Sequence, residues 1–214
     1  MVIFAHRGLV DEKNNIPENS LASLKNALDA GFMAIEFDIW LVNQKLIISH
    51  NEPKNSQLTL FNFLEHSLLY SKQPLLYWLD FKNVNSSNAT TIALQTKNIL
   101  ETLKIPLTNC YFSPFITNYE LAEQVYLVWQ SILGNFMAVI EEEKQFLKCQ
   151  QFITKHTINN LSINHHLLNN QSIMNSLKNH CQNINLFAWT VKNLETYLNL
   201  QQKQIKNFAS DIVL

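Results

Sequence analysis

Residues 75–82 have the sequence Leu-Leu-Tyr-Trp-Leu-Asp-Phe-Lys, and this stretch is the strongest single indication of the fold. Successive side chains of a strand point to opposite sides, so the apolar run covers both faces before Asp80 and Lys82 end it. Strands that are apolar on both faces are typical of parallel sheets covered by helices. Since parallel strands need long crossover connections, we expect helices before and after this strand.

Similar short apolar runs alternate along the chain with stretches in which apolar residues recur at helical spacing. The predicted strands cover residues 2–5, 34–39, 75–81, 110–112, 126–129, 161–163, 186–190 and 208–212, with an extra short run at 46–49. The predicted helices cover residues 20–30, 89–103, 119–124, 140–154, 173–180 and 194–201. Eight strands separated by helices predict one domain over residues 1–214. A closed (β/α)8 TIM barrel and an open doubly wound sheet both satisfy this pattern, and the lack of a glycine-rich phosphate loop disfavours the open sheet.

The composition narrows the class of protein and of partner. Hydrophobic residues make up 47% of the 214 residues and the net charge is −1, so there is no basic field to hold nucleic acid. The sequence shows neither a signal peptide nor an apolar run of about 18 residues, which predicts a cytoplasmic protein without a transmembrane segment. The three cysteines, Cys110, Cys149 and Cys181, are far apart and indicate neither a disulfide framework nor a cysteine metal site.

Two carboxylates stand two positions apart on the second predicted strand. Glu36 and Asp38 therefore point to the same face, while the apolar residues between and beside them point to the other. Two buried carboxylates repel each other unless a cation neutralises them, and oxygen ligands suit Mg²⁺ or Ca²⁺. The alternative is an exposed edge strand on which both acids are solvated.

Asp80 and Lys82 repeat this spacing at the end of the third predicted strand. Asp80 is a candidate third ligand of the metal, and Lys82 is a candidate partner for a phosphate oxygen. The alternative is a salt bridge at the end of the strand.

Two histidines and the only arginine of the chain also follow predicted strands. The carboxyl ends of barrel strands carry the catalytic residues, which makes His6 and His50 candidates for acid and base or nucleophile in phosphodiester cleavage. Arg7 can hold two phosphate oxygens as a fork. The remaining histidines are expected to be surface or packing residues: His66, His156, His165, His166 and His180.

Taken in order, these residues resemble the glycerophosphodiester phosphodiesterase family. That family opens with His-Arg-Gly and Pro-Glu-Asn-Thr, ends its first helix in glycine, and continues with Glu-x-Asp and then His-Asp. The matching residues here are His6-Arg7-Gly8, Pro17-Glu18-Asn19-Ser20, Gly31, Glu36-Phe37-Asp38 and His50-Asn51. Weaker matches follow at Asp80-Phe81-Lys82, Phe112-Ser113, Ala188-Trp189-Thr190-Val191 and Ser210-Asp211, so the resemblance spans the chain.

The resemblance implies a closed TIM barrel that hydrolyses glycerophosphodiesters to glycerol 3-phosphate and an alcohol, a hydrolase of lipid and glycerol metabolism. It implies one divalent cation, Mg²⁺ or Ca²⁺, and a small-molecule substrate. Histidines 6 and 50 would be the catalytic pair, and an attack by the substrate's own neighbouring hydroxyl also stays open. The other implied roles are metal ligand for Glu36, Asp38 and Asp80, phosphate or substrate binding for Arg7, Lys82 and Trp189, and support for Glu18 and Asn19.

The chain departs from the family pattern at three places. Only 30 positions separate His50 from Asp80, which leaves room for one loop and one helix where the family carries a capping insertion. Asp80 replaces a glutamate, and Asn51 replaces an aspartate. We therefore expect a more open pocket. Two other functions stay open, a lysophospholipase D or sphingomyelinase D type of phosphodiesterase and a non-catalytic barrel that binds phosphoesters.

Overall fold

A computed structural model describes residues 1–54, 57–180 and 183–214, without the side chain of His180. Strands and helices alternate along the described chain. The strands are β1 (Val2–Ala5), β2 (Ala34–Val42), β3 (Lys45–Ile48), β4 (Leu76–Phe81), β5 (Cys110–Pro114), β6 (Met137–Ile140), β7 (Asn160–Asn164), β8 (Asn185–Val191) and β9 (Asn207–Ser210). The helices are α1 (Leu21–Asp29), α2 (Leu60–Tyr70), α3 (Ala89–Thr102), α4 (Tyr119–Ile132), α5 (Phe146–His156), α6 (Gln171–His180) and α7 (Leu194–Gln202).

Eight parallel strands form a nearly closed barrel in the order β5-β4-β2-β1-β9-β8-β7-β6. The first and last strands of the chain are neighbours, with Val2 opposite Asn207. A single bridge between Phe112 and Phe136 joins the β5 and β6 edges, where the Phe112 N–H donates to the Asn135 carbonyl at 3.2 Å. The predicted TIM barrel is therefore confirmed. Strand β3 lies outside this ring and pairs antiparallel with β2 as a hairpin.

Two hydrophobic cores stabilise the barrel. The larger core lies between the sheet and the surrounding helices, and the smaller one fills the barrel interior. In the interior Phe4, Trp78 and Phe187 meet with ring centroids 5.6–5.9 Å apart. Side chains two positions apart on a strand point to the same side, so the side chains that follow these rings by two positions also point into the barrel. The polar groups at the carboxyl ends of the strands therefore lie above an apolar floor.

One predicted strand is wrong. Residues 126–129 lie in α4, and the strand at this place in the order is β6. Asn118 caps α4 by accepting hydrogen bonds from the next turn, and Val125 and Trp129, four positions apart, are both buried. That spacing places the two side chains on one helical face. Leu127 within the run is 61% exposed, so the run is apolar on both sides of a half-buried helix, and a short run of this kind cannot be told from a strand.

The predicted helix over residues 140–154 is wrong in its first turn, since Ile140 ends β6 and α5 begins only at Phe146. The predicted helix over residues 119–124 ends eight residues too early, because α4 continues to Ile132, and the remaining predicted elements lie within a few residues of the observed ones. Between β3 and β4, α2 is the only helix in the described residues, as the short spacing predicted. Cys110 and Cys149 are buried in the larger core, and Cys181 lies outside the described residues. None of the helices in the described ranges combines the length and apolar character that crossing a bilayer requires.

Candidate active site

A cavity of about 550 Å³ opens at the carboxyl ends of the parallel strands. His6 and Arg7 follow β1, His50 follows β3, and Lys82 follows β4. The three candidate metal ligands lie within β2 and β4. The predicted residues that line this one cavity are His6, Arg7, Glu18, Glu36, Asp38, His50, Asp80, Lys82 and Trp189. Asn19 is the one candidate that stands behind the lining.

The three predicted metal ligands come together on adjacent strands. Asp38 lies directly opposite Asp80 in the register of β2 and β4, and Glu36 precedes Asp38 on the same face. One ligand oxygen of each residue lies within 4.8 Å of the others. Glu36 and Asp38 are 3% and 1% exposed, so the alternative of a solvated edge strand is wrong.

Two cations neutralise part of this charge. The Lys82 Nζ atom lies 2.7 Å from Asp38 Oδ1 and also contacts Asp80 Oδ2, so the predicted salt bridge at the strand end exists within the site. The Arg7 guanidinium spans two acids, with Nη1 2.6 Å from Glu18 Oε2 and Nε 3.1 Å from Asp38 Oδ2. Both cations lower the pKa of Asp38 against the effect of its burial.

The loop after β1 is shaped to aim polar groups at the carboxylates. Arg7 has a left-handed backbone, with φ at 54°, and its N–H donates to Glu36 Oε2 at 2.9 Å. Gly8 follows with φ at 74°, and a Cβ there would lie 2.5 Å from Ser23 Oγ on α1. Only glycine lets the loop pass this helix, which is a physical reason for glycine in His-Arg-Gly.

Asn19 holds Asp38 from behind through two hydrogen bonds. The Asn19 side-chain amide donates to Asp38 Oδ2 at 2.7 Å, and its carbonyl oxygen accepts from the Asp38 N–H at 3.0 Å. Asn19 itself is 8% exposed. This pair fixes the orientation of the carboxylate before any ligand arrives.

The donor set suits a divalent cation. Asp80 Oδ1 is buried and makes no hydrogen bond of normal geometry among the described residues, although the Ser113 hydroxyl on β5 also interacts with this carboxylate, and a buried acceptor left unsatisfied is costly unless a ligand satisfies it. Burial, together with the Asp38 charge, raises the pKa of Glu36 to about 7, so the existing cations leave this carboxylate incompletely neutralised. Three carboxylate oxygens are the ligands that Mg²⁺ or Ca²⁺ takes, so the acidic cluster can hold such an ion.

His6 is held through its ring. Its Nδ1 lies 2.6 Å from Asp211 Oδ1, and its Nε2 is 3.9 Å from Glu36 Oε2. Burial lowers the pKa of His6, but the charges of Glu36 and Asp211 outweigh that effect and the pKa is raised overall. The bond to Asp211 orients Nε2 toward the carboxylates.

His50 is held differently. Its side chain is 35% exposed, its nearest acidic group is Glu18 Oε1 at 3.9 Å from Nδ1, and no described residue hydrogen-bonds to its ring. Its main-chain carbonyl accepts a hydrogen bond from Trp40 Nε1 at 3.2 Å. Burial is the main cause that lowers the pKa of His50, and Asp38 opposes this effect.

Aromatic side chains form the opposite wall of the cavity. The Trp189 indole donates to Ser162 Oγ at 2.9 Å, and its ring centroid lies 6.2 Å from that of Phe115. The Lys82 ammonium lies 4.7 Å from the Phe115 centroid. The lysine is thus placed between the acidic cluster and the aromatic wall.

Several residues around the site were not among the sequence candidates. Asp211 was visible as part of the terminal motif, and its position after the last strand was the available signal. No motif pointed to the others, which are Trp40, Phe115, Glu141, Ser162 and Lys192. Of the other histidines, His66, His156, His165 and His166 do not line the cavity, although His165 Nδ1 lies 3.0 Å from the Trp189 carbonyl. The side chain of His180 lies outside the described part of the chain.

No protein-family model matches this sequence, and no curated protein matches it. The fold does match solved structures. A glycerophosphodiester phosphodiesterase from Parabacteroides distasonis is 14% identical with a TM-score of 0.76, over 98% of this chain and 92% of that one. An Oleispira antarctica phosphodiesterase, in complex with the product sn-glycerol-3-phosphate, is 16% identical with a TM-score of 0.75, over 99% and 93%.

A third solved structure also matches over nearly the whole of both chains. A glycerophosphodiester phosphodiesterase from Thermotoga maritima is 17% identical with a TM-score of 0.71, and the match covers 100% of this chain and 95% of that one. Similarity over nearly the whole of both chains means that no large part of the barrel is missing. The chain therefore has the TIM-barrel fold of these glycerophosphodiester phosphodiesterases, and the predicted resemblance to them is confirmed for the fold.

Proposed function

We propose that this protein is a metal-dependent phosphodiesterase that hydrolyses glycerophosphodiesters to glycerol 3-phosphate and an alcohol. One observation carries the proposal: two histidines and three buried carboxylates line a single cavity together with Arg7 and Lys82. The product bound to the Oleispira antarctica phosphodiesterase, which has the same fold, supports glycerol 3-phosphate as the product here.

Glu36, Asp38 and Asp80 would hold the cation, Mg²⁺ or Ca²⁺. When bound, such an ion supplies positive charge next to a phosphoryl oxygen and orients the phosphate. Arg7 and Lys82 add two permanent positive charges at the same place, and Arg7 presents a planar fork that suits phosphate. Glu18 and Asn19 support these groups, since each bonds to a charged member of the set.

The histidine pair would move the protons of the reaction. As water attacks phosphorus and the bond to the leaving oxygen breaks, one imidazole accepts the proton of the attacking group and the other gives a proton to the leaving alkoxide. Direct attack by a histidine, or by a neighbouring hydroxyl of the substrate, uses the same two positions.

The test is hydrolysis of glycerophosphocholine in the presence of Mg²⁺ or Ca²⁺, measured as release of glycerol 3-phosphate. We expect turnover that EDTA abolishes and that His6→Ala and His50→Ala each reduce by about 100-fold or more. His66→Ala is the matched control, because His66 lies on α2 outside the cavity and, among the described residues, its ring hydrogen-bonds to the Asn62 carbonyl and contacts Tyr70.

The two other functions predict different results. Turnover of lysophosphatidylcholine without turnover of glycerophosphocholine would point to a lysophospholipase D type of enzyme. Metal and phosphate binding without turnover of either substrate would point to a binding barrel. A protein that neither binds Mg²⁺ or Ca²⁺ nor cleaves any of these esters would overturn the proposal.

The proposal covers residues 1–214 as one phosphodiesterase domain acting on a small molecule, with a part in lipid and glycerol metabolism. The cytoplasmic location stays a prediction.

A further inference from the structure

We propose that Trp40 is a positioning residue for His50, and this inference rests on the proposed function. The two candidate catalytic histidines are held in unlike ways. His6 has a carboxylate on its ring at 2.6 Å and its side chain is 14% exposed. The His50 ring has no hydrogen bond within the described residues, and its side chain is 35% exposed. Within the described part of the chain, the hydrogen bonds that place the His50 imidazole are therefore those of its main chain.

The main chain around His50 makes two hydrogen bonds with β2, one as donor and one as acceptor. The Ser49 N–H donates to the Asp38 carbonyl at 3.1 Å, and the Trp40 indole N–H donates to the His50 carbonyl at 3.2 Å. The third bond in this turn, from Ser49 Oγ to the Asn51 carbonyl, is internal. Glu18 Oε1 lies 3.9 Å from the His50 ring, and Trp40 is the one side chain among the described residues that hydrogen-bonds to the His50 main chain.

The place of Trp40 on β2 suits this role. Trp40 stands two positions after Asp38 and four after Glu36, so its Cβ lies on the same face of the strand as those of the carboxylates. It also pairs with Ile47 across the hairpin that delivers His50. One strand therefore carries two candidate metal ligands and the group proposed to fix the second histidine.

The test is Trp40→Phe, which keeps an aromatic ring but removes the indole N–H together with the five-membered ring. Because the phosphate-binding groups are untouched, we expect KM for glycerophosphocholine to stay within about 2-fold. We expect kcat to fall roughly 10- to 100-fold, since a displacement of about 1 Å in a reacting group has effects of this size. In an NMR spectrum of the ring C–H groups, the His50 signal should shift and the His6 signal should stay.

Trp129→Phe is the matched control. The Trp129 indole also donates to a main-chain carbonyl, that of Ala89 at 2.9 Å, but it is buried away from the cavity. This variant should lower the unfolding temperature while leaving kcat and both histidine signals unchanged. If Trp40→Phe fails to fold, benzothienylalanine at position 40 replaces the N–H by sulfur in a ring of the same shape and carries the same expectations.

Three outcomes overturn the inference: wild-type kcat in the Trp40 variant, an unchanged His50 signal, or equal changes at both histidines. The NMR measurement of the histidine rings does not require an active enzyme. An inactive wild-type protein whose His50 signal still responds to benzothienylalanine at position 40, which keeps the ring shape and loses only the N–H, would therefore contradict the proposed function while supporting the positioning contact.

Discussion

His6 and Asp211 are 205 positions apart in the chain and form one of the shortest contacts of the cavity, with Nδ1 2.6 Å from Oδ1. The barrel brings them together because β1 and β9 are adjacent parallel strands, and His6 and Asp211 follow the paired residues Ala5 and Ser210. The contact between His6 and Asp211 therefore depends on the pairing of β1 with β9. It keeps one ring nitrogen occupied and leaves Nε2 for the cavity.

Asp211→Asn should separate this role from general folding. An amide cannot stabilise the imidazolium as a carboxylate does, so we expect the pKa of His6 to fall in the metal-free variant and kcat to drop roughly 10²- to 10⁴-fold. The sign follows because Asp211 is one of the groups that raise the pKa of His6. NMR titration of the His6 ring and steady-state kinetics measure the two effects. Asp29→Asn, at an exposed ion pair on α1, is the control and should change neither.

Metal affinity should increase with pH. The ligands bind a cation as carboxylates, and without one burial and the Asp38 charge hold the pKa of Glu36 at about 7. Between pH 5.5 and 8 Glu36 loses its proton, so calorimetric titration should give tighter Mg²⁺ or Ca²⁺ binding at the higher pH. The unfolding temperature in metal at 100 times Kd should exceed that in EDTA by about 5–10 °C.

Glu36→Gln should remove most of this response, and Glu195→Gln, on the exposed surface of α7, should keep it. Equal unfolding temperatures of the wild-type protein in metal and in EDTA at pH 8 would argue against a resident cation.

Arg7→Lys should act mainly on substrate binding. Arg7 reaches Glu18 and Asp38 at once with different nitrogens, and a lysine ammonium cannot reproduce the planar fork toward phosphate. Loss of one charge-assisted hydrogen bond, worth about 1.5–3 kcal/mol, corresponds to a rise in KM of about 10- to 150-fold. Lys25→Arg on α1 exchanges the same two residue types outside the cavity and should leave KM unchanged. A fall in kcat with constant KM would assign Arg7 to the transition state instead.

Much of the fold could be predicted because its strands are short, apolar and separated by helical patterns. An apolar run as short as residues 126–129 fits both a strand and a turn of a helix. In the structure it belongs to α4, where Val125 and Trp129 lie on the buried face. The closed barrel followed from the ordered motifs, because strand spacing alone allows both an open and a closed sheet. The β5 and β6 edges are joined by a bridge between Phe112 and Phe136, and no local sequence pattern indicates this contact.

The candidate site was predictable where residues share a strand or follow its end. The i, i+2 spacing of Glu36 and Asp38 fixes their common face, and the register with Asp80 completes the cluster. Side-chain hydrogen bonds between neighbouring strands were not predictable in this way. The bonds from Trp189 to Ser162 and from Trp40 to His50 depend on strand register and on the β2–β3 hairpin, and tryptophan and serine are common in plain packing roles.

The apolar floor of the barrel should be essential for stability. Phe4 is fully buried, and its ring meets those of Trp78, Tyr111 and Phe187 with centroids 5.7–6.0 Å apart. Phe4→Ala should lower the free energy of unfolding by about 3–5 kcal/mol, because the closed ring of strands cannot collapse into the space left behind. Denaturant unfolding followed by tryptophan fluorescence measures the change.

Leu69→Ala serves as the control for this prediction, since Leu69 on α2 is 73% exposed and its loss should change the free energy of unfolding by about 0.5 kcal/mol or less. Phe4 lies two positions before His6 on the same strand face. A partly folded Phe4→Ala protein should therefore lose the His6–Asp211 contact along with stability, and added metal should recover only part of both. An unfolding free energy equal to that of the Leu69 control would mean that the interior rings are not what keeps β1 in the barrel.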